Sequence, residues 1–172
     1  MSKRYIAFLR GVSAMNCKMP ELKAAFESAG FTNVRTVLGS GNVVFDAPSG
    51  DDAALEARAE AAMTRELGRS FYTIVRSRDE LEALLAADPY TELSIPEEAK
   101  RVVSFFRQPP VPRVGLPLAR DHASVFLVRG REAYTAYVPL ANDPVFMGLI
   151  EKVFGKDVTT RTLATVAKCA KA

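Results

Sequence analysis

The stretch Val34 to Phe45, Val-Arg-Thr-Val-Leu-Gly-Ser-Gly-Asn-Val-Val-Phe, constrains this chain more than any other. Two β-branched runs flank Gly39-Ser40-Gly41-Asn42. Gly and Asn accept the positive φ of tight turns and branched residues favour extended backbone, so the stretch reads as a β-hairpin. A hairpin alone is marginal in water, so its neighbours must supply further strands and a cover. Tyr5 to Leu9, between Lys3-Arg4 and Arg10-Gly11, reads as a strand buried on both faces. Pro20 stands at a helix start, where its missing N–H costs nothing. Leu22, Ala25, Phe26 and Ala29 then share a helical face, and Gly30 stops the helix so that Phe31 folds back on Phe26. Beyond the hairpin, Asp51-Asp52 open a second helix with the stripe Leu55, Ala59, Met63 and Leu67, ended by Gly68, and Phe71 to Val75 reads as a strand.

The order β-α-β-β-α-β is the split βαβ, ferredoxin-like plan: a four-stranded antiparallel sheet with both helices on one face. Ser77 and Glu80 form a capping box for a third helix with Leu81, Leu84 and Leu85 inward, ended by Asp88-Pro89. Tyr90 to Lys100 reads as loop and Val102 to Phe106 as a strand, followed by the connector Gln108 to Pro112. Ala123 to Val128 and Ala133 to Val138 are strands around Gly130-Arg131. Asp143-Pro144 starts a fourth helix with Phe146, Leu149, Ile150 and Val153 inward, ended by Gly155, and Thr159-Thr160 caps a last helix from Arg161. The expected class is α+β: two ferredoxin-like subdomains packed together, with largely antiparallel sheets. Residues 1–77 form the first, and 78–172 the second, a degenerate copy without a residue-level repeat.

Composition narrows the function. A net charge of +3 is too small for wholesale coating of nucleic acid. Cys17 and Cys169 are far apart and build no disulfide framework, and no run approaches membrane-spanning length. The apolar run between Arg4 and Arg10 is only five residues, too short for a signal-peptide core. The expectation is a soluble cytoplasmic protein with no membrane partner. One histidine and two cysteines furnish no zinc site, so neither metal nor cofactor is expected.

Several segments together resemble a known bacterial family. They are Tyr5-Ile-Ala-Phe-Leu-Arg-Gly, Met19-Pro-Glu-Leu, Gly30-Phe-Thr-Asn-Val-Arg-Thr, Ser40-Gly-Asn-Val-Val-Phe, and Thr159-Thr-Arg with Thr165-Val and Lys168. That family is number 1697 among the domains of unknown function. The resemblance implies an α+β fold of two ferredoxin-like subdomains and no established activity. The chain departs from it at Val12 to Lys18, where relatives carry Ile/Val-Asn-Val-Gly-Gly. It departs again at Thr162-Leu163 in place of Asn-Trp, and at Ala141 to Pro144 in place of a basic segment. If those positions bind a ligand in relatives, this chain takes a different one or none.

The candidate ligand contacts are Arg10, Lys18, Ser40, Asn42, Thr160, Arg161, Thr165 and Lys168. Arg10 and Arg161 lead, because guanidinium combines fixed charge with a fork of donors. Arg161, Thr165 and Lys168 recur at helical spacing, and a helix opening with Thr159-Thr160-Arg161 would offer free N–H groups and a positive dipole end to an anion. The ordinary readings compete: Arg solubilises a strand end, Ser-Gly-Asn makes a turn, and a threonine caps an amphipathic helix. The Arg10 loop and the Ser40 turn are placed at opposite ends of neighbouring strands, so no single pocket is expected from them. Cys17 lies beside Lys18, which would lower its pKa; His122 has no evident partner. A module binding an anionic small molecule, nucleotide or nucleic-acid backbone ranks first. An enzyme with a cleft between subdomains ranks second, and a homodimeric interaction protein third.

Overall fold

The first unit is built around β1 (Ser2–Leu9), whose residues from Tyr5 to Leu9 are all buried. The computed structural model describes residues 1–140 and 145–172. They fall into two compact units: Met1–Ala86 with Val166–Ala172, and Ala87–Thr165. In the first, α1 (Met19–Ser28), β2 (Thr32–Val37), β3 (Asn42–Pro48), α2 (Asp52–Leu67), β4 (Thr73–Ser77) and α3 (Arg78–Ala87) follow in order. The sheet order is β2-β3-β1-β4, with every pairing antiparallel. This is the split βαβ plan expected from the hairpin and its flanks.

Alternation sets the core. Tyr5, Ala7, Leu9, Val43, Phe45 and Val75 join Leu22 and Phe26 of α1 and Leu55, Ala59 and Met63 of α2 in one apolar cluster. Phe45 is its centre, with ring centroids 4.2 Å from Phe31, 5.8 Å from Phe26 and 5.8 Å from Tyr5. The fold-back of Phe31 on Phe26 is present at 5.9 Å. Asp51 caps α2 by accepting from the Ala53 N–H, and Gly68 ends it at φ +73°. The Ser77–Glu80 capping box forms in both directions.

The units divide between Ala86 and Ala87, in the last turn of α3, rather than near Ser77. Ser77 ends β4 and Arg78 begins α3 with no loop between, so the helix continues the first unit. The second unit holds a 3-10 turn at Pro89–Glu92, then β5 (Lys100–Phe105), β6 (Leu118–Arg120), β7 (Ala123–Arg129), β8 (Glu132–Tyr137), α4 (Val145–Phe154) and β9 (Thr159–Thr162). α5 (Leu163–Lys171) starts in this unit and ends in the first. The expected helix start at Asp143-Pro144 lies outside the described residues.

The second sheet runs β6-β7-β8-β5-β9, again antiparallel. Its β7-β8-β5-β9 core repeats the strand order of the first sheet. One crossover, α4, joins β8 to β9. The other is carried by the proline-rich connector, whose Val114 and Leu116 pack on the α4 core and whose Arg113 N–H donates to the Val153 carbonyl at 2.9 Å. Tyr90, expected in a loop, is 1% exposed. Its hydroxyl donates to the Val102 carbonyl at 2.7 Å and accepts from the Thr135 N–H at 3.2 Å.

Candidate functional site

One end of the first sheet gathers the polar loops. β1 runs antiparallel to β3 with Phe8 opposite Asn42, so the exit of β1 lies beside the start of β3 and the turn before it. The expectation that these loops sit at opposite ends is corrected. Antiparallel neighbours place the end of one strand against the beginning of the next. The Leu9 N–H donates to the Gly41 carbonyl at 2.9 Å. Gly41 holds φ +87°, and a Cβ there would stand 2.9 Å from Val12 Cβ and 3.1 Å from Leu9 Cβ. The turn is seated on the loop.

The loop from Gly11 to Lys18 is clasped by Asn16. Its Oδ1 accepts from the Ser13 N–H at 2.9 Å and its Nδ2 donates to the Gly11 carbonyl at 2.8 Å. Lys18 follows as the N-cap of α1, with no side-chain cap bond. Between loop and turn lies a cleft of about 380 Å³ lined by Ala14, Cys17, Lys18, Met19, Pro20 and Gly39. A second cleft of about 390 Å³ shares Cys17 and is lined by Asn16, Glu21, Glu66 and Arg69 among others.

The expected contacts divide accordingly. Arg10, Lys18 and Ser40 belong to this end of the first unit, Lys18 and Ser40 exposed and Arg10 half-buried. Asn42 does not face a ligand: it is fully buried, and its Nδ2 donates to the Val37 carbonyl at 2.9 Å and Ser40 Oγ at 3.1 Å. It holds the turn.

The C-terminal anion seat is corrected. Thr159–Thr162 is an edge strand, with Arg161 opposite Val103 and Thr160 opposite Ser104. Arg161 therefore does not share a helical face with Thr165 and Lys168. Its guanidinium folds back on its own strand, donating to Thr159 Oγ1 at 2.8 Å and the Thr160 carbonyl at 2.7 Å. The helix that follows is capped by Thr162, whose Oγ1 accepts from the Thr165 N–H at 3.2 Å and lies 3.0 Å from Thr165 Oγ1. Lys168 is exposed farther along α5.

Cys17 is 8% exposed, and its Sγ lies 3.8 Å from the Lys18 carbonyl. Burial raises its pKa, Glu21 adds to the rise, and Arg69 opposes them without reversing it. The expected activation by Lys18 is absent: the thiol is held protonated. His122 sits between β6 and β7 next to Asp121, which has φ +53°. Among the described residues no cluster of His, Cys, Asp and Glu could hold a metal ion, and no helix is long and apolar enough to cross a membrane.

The model of a family described as proteins of unknown function, DUF1697, matches residues 2–134. The chain belongs to DUF1697. This family membership is the one that the Leu-Arg-Gly and Ser-Gly-Asn-Val segments suggested. No curated protein matches the chain. Among solved structures, a conserved bacterial protein from Streptococcus pneumoniae is similar, with a TM-score of 0.72 and 16% identity over 99% of this chain and 98% of that one. At that identity the likeness speaks for the α+β fold alone.

Sequence reasoning missed Ala14, Met19, Pro20 and Gly39 as lining residues. The available signal was register. Two strands antiparallel at Phe8 and Asn42 put Gly11 to Lys18 against Gly39 to Gly41.

Proposed function

We propose that this DUF1697 member is a ligand-binding module whose anion site lies where the loop after β1 meets the turn between β2 and β3. The observation that carries the reading is the seating of Gly41 on Val12 and Leu9. It brings Arg10, Lys18 and Ser40 to one end of one sheet on fastened backbone. Two cations and a hydroxyl on such backbone suit a phosphate or carboxylate, because little ordering remains to be paid on binding. The same reading places a ferredoxin-like unit in a bacterial cytoplasm, in keeping with two buried free thiols. Thr160, Arg161, Thr165 and Lys168 are left out of the site, since Arg161 and Thr162 are spent on the strand and its cap.

Thermal-shift and calorimetric titration with inorganic phosphate, a nucleoside triphosphate and a short single-stranded oligonucleotide tests it. Stabilisation is expected from at least one probe, fading as salt rises, and weakened by Arg10→Ala and Lys18→Ala. A flat response to all three overturns the proposal.

A further inference from the structure

The cleft beside this site is chemically lopsided. Of its six lining residues, Ala14, Met19, Pro20 and Gly39 are apolar or bare backbone, Cys17 presents a protonated thiol, and only Lys18 is charged. The carboxylate of Glu21 lines the neighbouring cleft instead. Two of the large apolar side chains that stand out in solvent flank the cleft as chain neighbours of its lining. Met15, after Ala14, is 97% exposed, and Leu38, before Gly39, is 49% exposed.

Leu38 is the more informative. Its φ is +59°, a region that a side chain with a Cβ rarely adopts and where Gly or Asn would sit without strain. A leucine half in water gains little from burial to offset that strain. Strained positions that packing does not account for cluster at ligand sites. A volume of about 380 Å³ is at the lower end of small-molecule pockets.

We propose that this cleft takes the aliphatic chain of an organic anion, with Met15 and Leu38 closing on the chain and Lys18 on the head group. The inference rests on the anion-site reading and narrows it. The ligand class is a medium-chain aliphatic carboxylate or phosphate, not an inorganic ion. Lys18 supplies the charge complementarity, and the apolar lining excludes a sugar or a bare ion as the preferred occupant.

Isothermal titration of the full chain with octanoate below its micelle concentration, against acetate, inorganic phosphate and 1-octanol, decides the matter. Octanoate is expected to bind at least ~10-fold more tightly than acetate, since each buried methylene contributes favourably. Leu38→Asn, which accepts the positive φ, and Met15→Gln are expected to fold normally and to shrink that ratio several-fold. If acetate and phosphate match octanoate, the aliphatic assignment falls while the anion site stands. If octanol matches octanoate, charge plays no part in this cleft and the organic-anion assignment falls. Binding of none of the four overturns the aliphatic assignment, and the nucleotide and oligonucleotide titrations then decide the anion site. Octanoate binding unchanged in both variants overturns the assignment to this cleft.

Discussion

Gly41 answers two demands at once: a left-handed backbone, and a neighbour with no room for a methyl group. Gly41→Ala adds strain at φ +87° and a contact 2.9 Å from Val12 Cβ. The expected loss is about 2–4 kcal/mol, the sum of a conformational cost and overpacking. Urea melts of the two proteins measure it, and ligand binding in the variant should weaken through displaced loops. Asp46 is a second residue with a readable cost. Arg4 donates to its Oδ1 at 3.0 Å and Asn33 to its Oδ2 at 2.7 Å. Burial pushes this carboxyl up, but the hydrogen bonds from Asn33 and Arg4 outweigh it, so its pKa lies below the ordinary value. A carboxyl depressed in the folded state stabilises above its unfolded pKa and loses that contribution as pH falls through the folded one. Asp46→Asn is therefore expected to cost about 1 kcal/mol at neutral pH. The gap between the two thermal melts should close below about pH 4.

At the scale of elements, β4 is an edge strand that does not present its backbone to solvent. Glu56 Oε2 accepts from the Val75 N–H at 2.9 Å, and Glu60 Oε2 accepts from the Thr73 N–H at 3.1 Å. Four residues along α2 and two along β4 cover nearly the same distance, so one helix face caps alternate donors of the edge. Glu56 is 3% exposed. Glu56→Ala leaves a buried donor unmade and is expected to cost about 1–3 kcal/mol in chemical denaturation, with Glu56→Gln losing less. Two other edges are also blunted: β2 by its irregularity between Thr32 and Arg35, β9 by Arg161 donating to the Thr160 carbonyl. Elements held by local chemistry were legible in the sequence. Phe26 and Phe31 across a glycine stop, and Ser77 with Glu80, declare themselves within a few residues. Thr159-Thr-Arg-Thr was not, because those residues suit a helix cap as well as an edge strand, and only the distant Val103 decides between them. β6, three residues long, gives no periodicity to read.

At the scale of the whole molecule, the first unit was readable as a plan and the second only as a degenerate copy of it. Its first crossover lacks the helix that would have announced it. The candidate site was half legible: Arg10, Lys18 and Ser40 carry the right chemistry, but their meeting depends on strand register, a non-local fact. The first unit also includes a segment that no local pattern assigns to it. The Ala172 carbonyl accepts from Arg4 Nε at 3.3 Å and from the Arg78 guanidinium at 2.6 Å, while Val166 and Cys169 are fully buried. Removing residues 166–172 is expected to lower amide hydrogen-exchange protection in β1 and α3 and to reduce the melting temperature.

That segment orders events at the ribosome. Val166–Ala172 emerges only after everything through Thr165 has been synthesised. The first unit is thus completed only after the second has been synthesised. Until then a nascent chain leaves Arg4 Nε and the Arg78 guanidinium without the Ala172 carbonyl, a period in which chaperones and proteases have access to an incomplete domain.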